Sequence, residues 1–370
     1  MVMTNCFNNV YKDRVVLVTG HTGFKGSWIT MWLKLLGAKV IGYSQKPNTN
    51  PSLFNICEVE KDIISIIGDI RDEQHIYDVI EKYRPEMVFH MAAQPLVRDS
   101  YENPKETYEI NVMGTISLFE AIRKSNFVKT IVNITTDKCY ENKEWIYGYR
   151  EVDPMGGYDP YSSSKACVEL LTSCYRRSFF EEKKVKVATV RAGNVIGGGD
   201  WAKDRLIPDI VRSITSDNDV YIRNPKSIRP WQHVLEPLSG YLWLGALLLE
   251  GKSVYSEGWN FGPEYNDTLT VKEILDKTIE IWGKGNYVLD LNQNVHEANL
   301  LKLDISKAKS ILSWRPLYNS NKAIEETVVW YKNYYQNPSI NIKEFTLKQI
   351  NEYVKYARKN NVIWSDSNEC

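Results

Sequence analysis

Val15-Val16-Leu17-Val18-Thr19 runs directly into Gly20-His21-Thr22-Gly23-Phe24-Lys25-Gly26 near the start of the 370-residue chain. The first five residues are apolar and mostly β-branched, and read as a strand buried on both faces. The next seven form a G-x-x-G-x-x-G turn, and a helical pattern follows from Gly26 to Leu36. Glycines at that spacing allow a tight turn and let the main chain close on a pyrophosphate. The first N–H groups of the helix then point at the anion. Three glycines alone say little; the strand before them and the helix after them give the motif its meaning. Gly20, Thr22, Gly23, Phe24, Lys25 and Gly26 are therefore candidate contacts of a dinucleotide cofactor.

The same alternation continues outward. Lys39 to Tyr43, Ile63 to Ile67, Met87 to Met91, Thr130 to Ile134 and Val185 to Val190 read as further strands. Asp72 to Tyr83, Tyr108 to Ser125 and Tyr161 to Phe180 read as helices between them. Strand and helix in turn imply an α/β fold, a Rossmann-like, doubly wound parallel sheet, over residues 1–191. The pattern changes after Arg191. Gly197-Gly198-Gly199-Asp200 is a loop, and later segments are short and rich in Pro, Trp and Arg. Residues 192–335 read as a smaller, mixed α/β substrate-binding region closing over the sheet edge, with some crossing of the chain between the two. Its expected helices are Pro208 to Thr215, Glu236 to Leu249 and Val271 to Trp282. Residues 336–370 read as a polar C-terminal tail with a helix at Thr346 to Arg358.

Lys plus Arg and Asp plus Glu number 46 each, so bulk charge points to neither nucleic acid nor a membrane surface. With 43% hydrophobic and 25% charged residues the composition is that of a globular protein. No run of eighteen apolar residues occurs, and the polar stretch 1–13 lacks the apolar core of a secretory signal, so a cytoplasmic protein is expected. The six cysteines form no C-x-x-C, and neither a metal site nor a disulfide framework is expected.

The chemistry concentrates in two short segments. Thr136-Asp137-Lys138 closes the fifth strand, and Tyr161-Ser162-Ser163-Ser164-Lys165 opens a helix after a loop. A Tyr and a Lys four apart share one helix face. A phenol has a reference pKa near ~10, and an ammonium beside it favours the phenolate and makes it a better base. Asp69 and Ile70, after the third strand, stand where the adenine edge would lie. Ala92, Ala93 and Gln94, after the fourth, offer small residues against a cofactor. The second strand ends in Tyr43-Ser44-Gln45-Lys46 with no acid to hold a ribose 2′-hydroxyl, which leaves NAD and NADP both open.

Together the glycine turn, Thr136-Asp137-Lys138 and Tyr161-x-x-x-Lys165 resemble the nucleotide-sugar 4,6-dehydratases of the extended short-chain dehydrogenase/reductases, over residues 12–335. Four strings resemble the CDP-sugar branch of that family. They are 19–26 (TGHTGFKG), 94–98 (QPLVR), 191–201 (RAGNVIGGGDW) and 229–234 (RPWQHV). The resemblance implies conversion of CDP-glucose to CDP-4-keto-6-deoxyglucose and water: oxidation at C4, loss of water across C5 and C6, and return of the hydride to C6. It implies Tyr161 and Lys165 in the hydride steps and at the cofactor, Asp137 as the acid for the leaving hydroxyl, Lys138 as the C5 base, and Thr136 on the sugar O4. Related branches carry Asp-Glu where this chain has Asp137-Lys138.

The resemblance further implies Asn111 as an Asn that orders the site beside the cofactor, and Asn194 and Arg229 on the substrate, the latter at the pyrophosphate. Arg98, Asp200 and His233 lie in the matching strings, and Arg205 and Arg223 are further basic candidates for phosphate. The resemblance also implies that the helices beginning at Tyr108 and Tyr161 pair across a homodimer or a dimer of dimers. Another nucleotide-sugar 4,6-dehydratase, a 4-epimerase or reductase, and a non-catalytic dinucleotide sensor are the alternatives.

Overall fold

The structure is a computed structural model and describes residues 3, 5–222, 224–289 and 300–366. Six strands appear where the apolar runs lie: β1 (Val15–Thr19), β2 (Lys39–Ser44), β3 (Ile64–Ile67), β4 (Met87–His90), β5 (Thr130–Ile134) and β6 (Lys186–Arg191). They form one parallel sheet ordered β3-β2-β1-β4-β5-β6, and the strand Gly258–Asn260 adds to its outer edge beside β6. Every residue of β4 and β5 is buried, because helices cover both faces.

The order reverses between β1 and β4, so their C-terminal ends open a crevice where an α/β sheet takes its ligand. Gly20 follows β1 at φ +74°, and a Cβ there would stand 2.7 Å from the Ala92 nitrogen after β4. The helix Phe24–Leu35 starts at this point. Its buried face (Trp28, Ile29, Met31, Trp32, Leu33) packs on the sheet, leaving its first turn at the crevice.

Two long helices carry most of the remaining site. Asp159 caps the helix Pro160–Tyr175 by accepting from the Ser162 N–H (2.9 Å), and Pro160 at its first turn fixes the start. The segment expected as one helix from Tyr108 to Ser125 is interrupted by a π-turn at Glu109–Met113 before Gly114–Lys124. Asn111 lies in that turn, and such turns gather at functional sites because they re-aim a side chain.

The C-terminal third departs most from expectation. A helix at Ser320–Gln336 did not stand out in the sequence, although Ala323, Ile324, Thr327, Val328, Trp330 and Tyr331 repeat at helical spacing on its buried face. It seats the glycine loop: a Cβ on Gly198 would meet the Trp330 ring at 2.0 Å, and the Tyr331 hydroxyl bonds the Asp200 main chain. Residues 336–366 are polar in composition yet well packed. The helix Ile342–Lys359 buries Ile350, Tyr353, Val354 and Ala357, and Trp364 stacks between Tyr353 and Phe7. No helix among the described residues is long and apolar enough to cross a membrane.

Candidate active site

The glycine turn forms a closed main-chain cradle. A Cβ on Gly26 would stand 2.0 Å from the Gly20 carbonyl oxygen, so nothing larger than hydrogen fits. Thr22 Oγ1 is 2.9 Å from both Ser44 Oγ and the Gln45 carbonyl, which locks the loop to the end of β2. The free N–H groups of the Phe24–Leu35 helix face the crevice with no side-chain cap. The residues present therefore fit a pyrophosphate. Gly26→Ala should weaken dinucleotide binding by at least ~100-fold, or ~2.7 kcal/mol, in a calorimetric titration of folded variant. Undiminished affinity would show that the cradle does not hold the phosphates.

Asp69 accepts from the Arg71 main chain (2.9 Å), from its guanidinium (2.6 Å at Nη2) and from Gln45 Nε2 (2.9 Å). The Arg71 hydrogen bonds hold this carboxyl below its usual range. Ile70 is buried against Gly114. Ala92 and Ala93 are half-buried beside Gly20, and Gln94 ties its side chain to Leu96 and Thr107. Asn111 accepts from the Gln94 N–H (2.8 Å) and donates to Gln94 O (3.2 Å) and Ser164 Oγ (2.8 Å). These three side-chain hydrogen bonds join the β4 loop to the Tyr161 helix.

The two chemical segments meet at the C-terminal end of β5. Tyr161 is 8% exposed and within hydrogen-bonding reach of Thr136. Thr136 Oγ1 in turn donates to Asp137 Oδ1 at 3.0 Å. The Asp137 carboxyl is 4% exposed and lies over Gly193, where a Cβ would fall 2.0 Å from Oδ2. Lys138 is half-buried, and among the described residues neither it nor Asp137 belongs to an ion pair. Lys165 is buried, and its ammonium donates to the Ile134 carbonyl at 3.1 Å.

The sequence reading gives Lys165 the task of lowering the Tyr161 pKa; in the structure the largest influences on the phenol are others. Burial dominates and pushes the phenol up to about 12, while the Thr136 hydrogen bond and the Arg205 charge pull the other way. Lys165 is itself brought down to about 8, by burial and by the charge of Lys25. Lys25 is likewise lowered to about 8 by burial and by Arg205, with Asp137 and Asp200 opposing. Its side chain thus faces the reacting cluster as well as the phosphate cradle.

The substrate candidates divide. Arg205 Nη1 and Asp200 Oδ2 pair at 2.6 Å, and Asp200 Oδ1 accepts from the Ala202 N–H. Arg98 pairs with Asp204 at 2.6 Å at the rim. Asn194 takes a left-handed backbone (φ +42°), and its carbonyl accepts from the Gln232 N–H. Arg229 is half-buried and donates to the Ile228 carbonyl. His233 is a correction: it is 1% exposed, packed edge-on against Trp28 and beside Tyr318, and burial lowers it to about 4. Its apolar surroundings make it a core residue. Arg223 lies outside the described residues.

Sequence reading missed four residues that shape the site. Gly193 makes room for Asp137. Gln232 Nε2 holds the Gly193 carbonyl (3.0 Å). Glu169 and Arg191 form an ion pair that is 5% exposed on each side chain. The available signal was spacing: Glu169 follows Lys165 by four and Tyr161 by eight, on the same helix face.

Residues 17–327 match the family model described as GDP-mannose 4,6 dehydratase. The chain is 54% identical over 330 residues to a CDP-glucose 4,6-dehydratase of Salmonella typhimurium, covering 88% of this chain and 92% of that relative. Among solved structures it is similar to the Bacillus anthracis dTDP-glucose 4,6-dehydratase in complex with NAD (TM-score 0.71, 24% identity, 88% of this chain and 99% of that one). It is also similar to a Thermus thermophilus UDP-glucose 4-epimerase complex with NAD (TM-score 0.73, 25% identity, 86% and 99%).

Proposed function

The chain belongs to the GDP-mannose 4,6 dehydratase family, and from that premise we propose that it is an NAD-dependent lyase that converts CDP-glucose to CDP-4-keto-6-deoxyglucose and water, a precursor of deoxysugars. The observation that supports this reading best is the buried Asp137 carboxyl held by Thr136 and close enough to Tyr161 for its charge to act there, with Lys138 next in the chain. An epimerase or reductase needs the Tyr–Lys pair; elimination needs in addition an acid and a base within the same pocket. The CDP-sugar choice is supported by the 54% identity to the Salmonella enzyme, and NAD by the cofactor present in the similar dehydratase and epimerase structures.

In this reading Gly20, Thr22, Gly23, Phe24, Lys25 and Gly26 hold the cofactor pyrophosphate. Asp69 and Ile70 flank its adenine end, and Ala92, Ala93 and Gln94 line its path, with Asn111 fixing that loop. NAD supplies a hydride acceptor at the sugar C4 and the hydride returned to C6, so there is no net redox change. Tyr161 takes the proton of the C4 hydroxyl, and Thr136 hydrogen-bonds O4 as it becomes a ketone. That ketone acidifies C5–H; Lys138 takes this proton as Asp137 gives one to the C6 hydroxyl, which leaves as water. A proton is returned to C5 in the last step. Arg205, Arg229 and Asn194 meet the nucleotide and sugar, with Arg98 and Asp200 at the edge of the sugar pocket.

A second copy of the chain completes the assembly as a homodimer or a dimer of dimers. The exposed apolar side chains of Met113 and Leu170, 52% and 63% accessible, support a contact along the helices that bear them. The enzyme works in the cytoplasm, where nucleotide-activated sugars are made.

Incubation with a panel of CDP-, dTDP-, GDP- and UDP-glucose, followed by mass spectrometry, tests the whole reading. Loss of 18 mass units from CDP-glucose, at least ~100-fold faster than from the others, is the expected result. Epimerisation without mass loss, or NAD binding with no turnover of any sugar nucleotide, would replace it with the epimerase or the sensor.

A further inference from the structure

Beneath the reacting cluster lies a polar network that the mechanism does not use. Glu169 is 6% exposed, and four donors fill its carboxylate: Thr135 Oγ1 (2.5 Å), Thr189 Oγ1 (2.7 Å), and Arg191 through Nε and Nη2 (2.8 Å each). A carboxylate has about four lone-pair sites, so this one is saturated. Burial pushes it up, but Arg191 and these hydrogen bonds prevail and hold it below the usual range. The remaining arm of Arg191 reaches away from Glu169. Its Nη1 donates to the Tyr140 hydroxyl (2.5 Å) and the Glu151 carbonyl (3.3 Å). Tyr140 passes the chain on to Asn260 Oδ1 (2.8 Å), and the Asn260 N–H donates to Glu151 Oε1 (2.9 Å).

Two features tie this network to chemistry. Thr135 immediately precedes the Thr136-Asp137-Lys138 turn, and Tyr140 closes it on the other side, so both ends of the turn are fastened to one ion pair. Glu169 also stands one helical turn beyond Lys165 on the face that carries Tyr161. We propose that Glu169, paired with Arg191, is a positioning residue for both halves of the reaction: it keeps Lys165 charged, and through Tyr140 it fixes the turn that presents Asp137 and Lys138. The titratable groups whose charges act on Lys165 are Lys25 from the phosphate-loop helix, Cys139 from the turn and Glu169 from its own helix, and Lys165 acts in turn on His90 of β4. The buried imidazole of His90 is lowered to about 3 and stays neutral, and burial holds the Cys139 thiol well above its usual range. Glu169 is thus the neighbouring anion that opposes Lys25.

The inference rests on the dehydratase reading, and its test keeps the two apart. In Glu169→Gln/Arg191→Met both charges go together, an exchange that buried pairs tolerate better than the loss of one partner. Formation of bound reduced nicotinamide from CDP-glucose is followed by absorbance from pH 6 to 10, and C5 deuterium exchange by mass spectrometry. Glu169 acts on Lys165 more strongly than Arg191 does, so losing the pair removes net support for the ammonium and Lys165 gives up its proton at lower pH. The alkaline limb should move down by about one pH unit or more, with kcat reduced at least tenfold and KM changed less than about threefold. A limb and a kcat equal to wild type overturn the proposal. Should the double variant not fold, Tyr140→Phe keeps the ion pair and its Thr135 link and cuts the link at the far end of the turn. Its C5 exchange should fall at least tenfold more than its hydride step, and equal effects on the two steps overturn the proposal. Wild type that does not react with CDP-glucose removes the functional reading and this inference with it.

Discussion

Lys138→Ala should stop C5 deuterium exchange while bound reduced nicotinamide still forms from CDP-glucose. Removing a general base costs about 10²–10⁴-fold, so exchange and net turnover should fall by ~10³. In the proposed mechanism the hydride step belongs to Tyr161 and Lys165, which stand on a different element, and it should change less than tenfold. The fold should be nearly unaffected, because Lys138 is half-buried and its ammonium has no hydrogen bond or ion pair among the described residues. Normal C5 exchange in this variant would take Lys138 out of the mechanism and turn attention to Lys25, the other lysine that shares a field with Asp137.

Tyr161→Phe should remove the hydride step itself. No bound reduced nicotinamide should accumulate, and kcat should drop by at least ~10³. The variant deletes one oxygen from a buried ring whose hydroxyl lies near Thr136, so stability should change by only about 1 kcal/mol. Paired with Lys138→Ala, it separates the two halves of the reaction: one variant should reduce the cofactor without C5 exchange, and the other should do neither. Reduced nicotinamide formed by Tyr161→Phe at more than a tenth of the wild-type rate would remove the phenol as the C4 base.

The two variants differ because the residues sit in different settings. Tyr161 is enclosed, and burial alone would keep it protonated at neutral pH. Its use as a base depends on what surrounds it: Thr136, Arg205 and bound cofactor. Lys138 has no such enclosure. The strand end places a buried acid and a half-buried lysine one residue apart, and in the proposed mechanism these are the two partners of the elimination.

How much of this was legible beforehand varies along the chain. The strands of the first half were readable because strands covered by helices on both faces need continuous apolar runs. The phosphate turn was readable because only glycine meets its spacing. The helix Ser320–Gln336 was hidden by the polar residues on its open face, although the 3.6 period was present. The 336–366 segment misled by composition, since a few aromatic residues outweigh many lysines once Trp364 stacks between Tyr353 and the N-terminal Phe7.

Local spacing alone determined the parallel α/β sheet, the cradle at Gly20 to Gly26, and the residue types of the acid–base pair, because each depends on neighbours a few positions apart. Tertiary structure alone decided which of those residues share a pocket. Gly193 comes from beyond β6 to make room for Asp137, Arg191 crosses to Glu169, and His233 turns into the core between aromatic rings. It also shifts the pKa of Tyr161 up and that of Lys165 down, since burial, reinforced at Lys165 by the charge of Lys25 and opposed at Tyr161 by that of Arg205, acts through space on groups far apart in the chain.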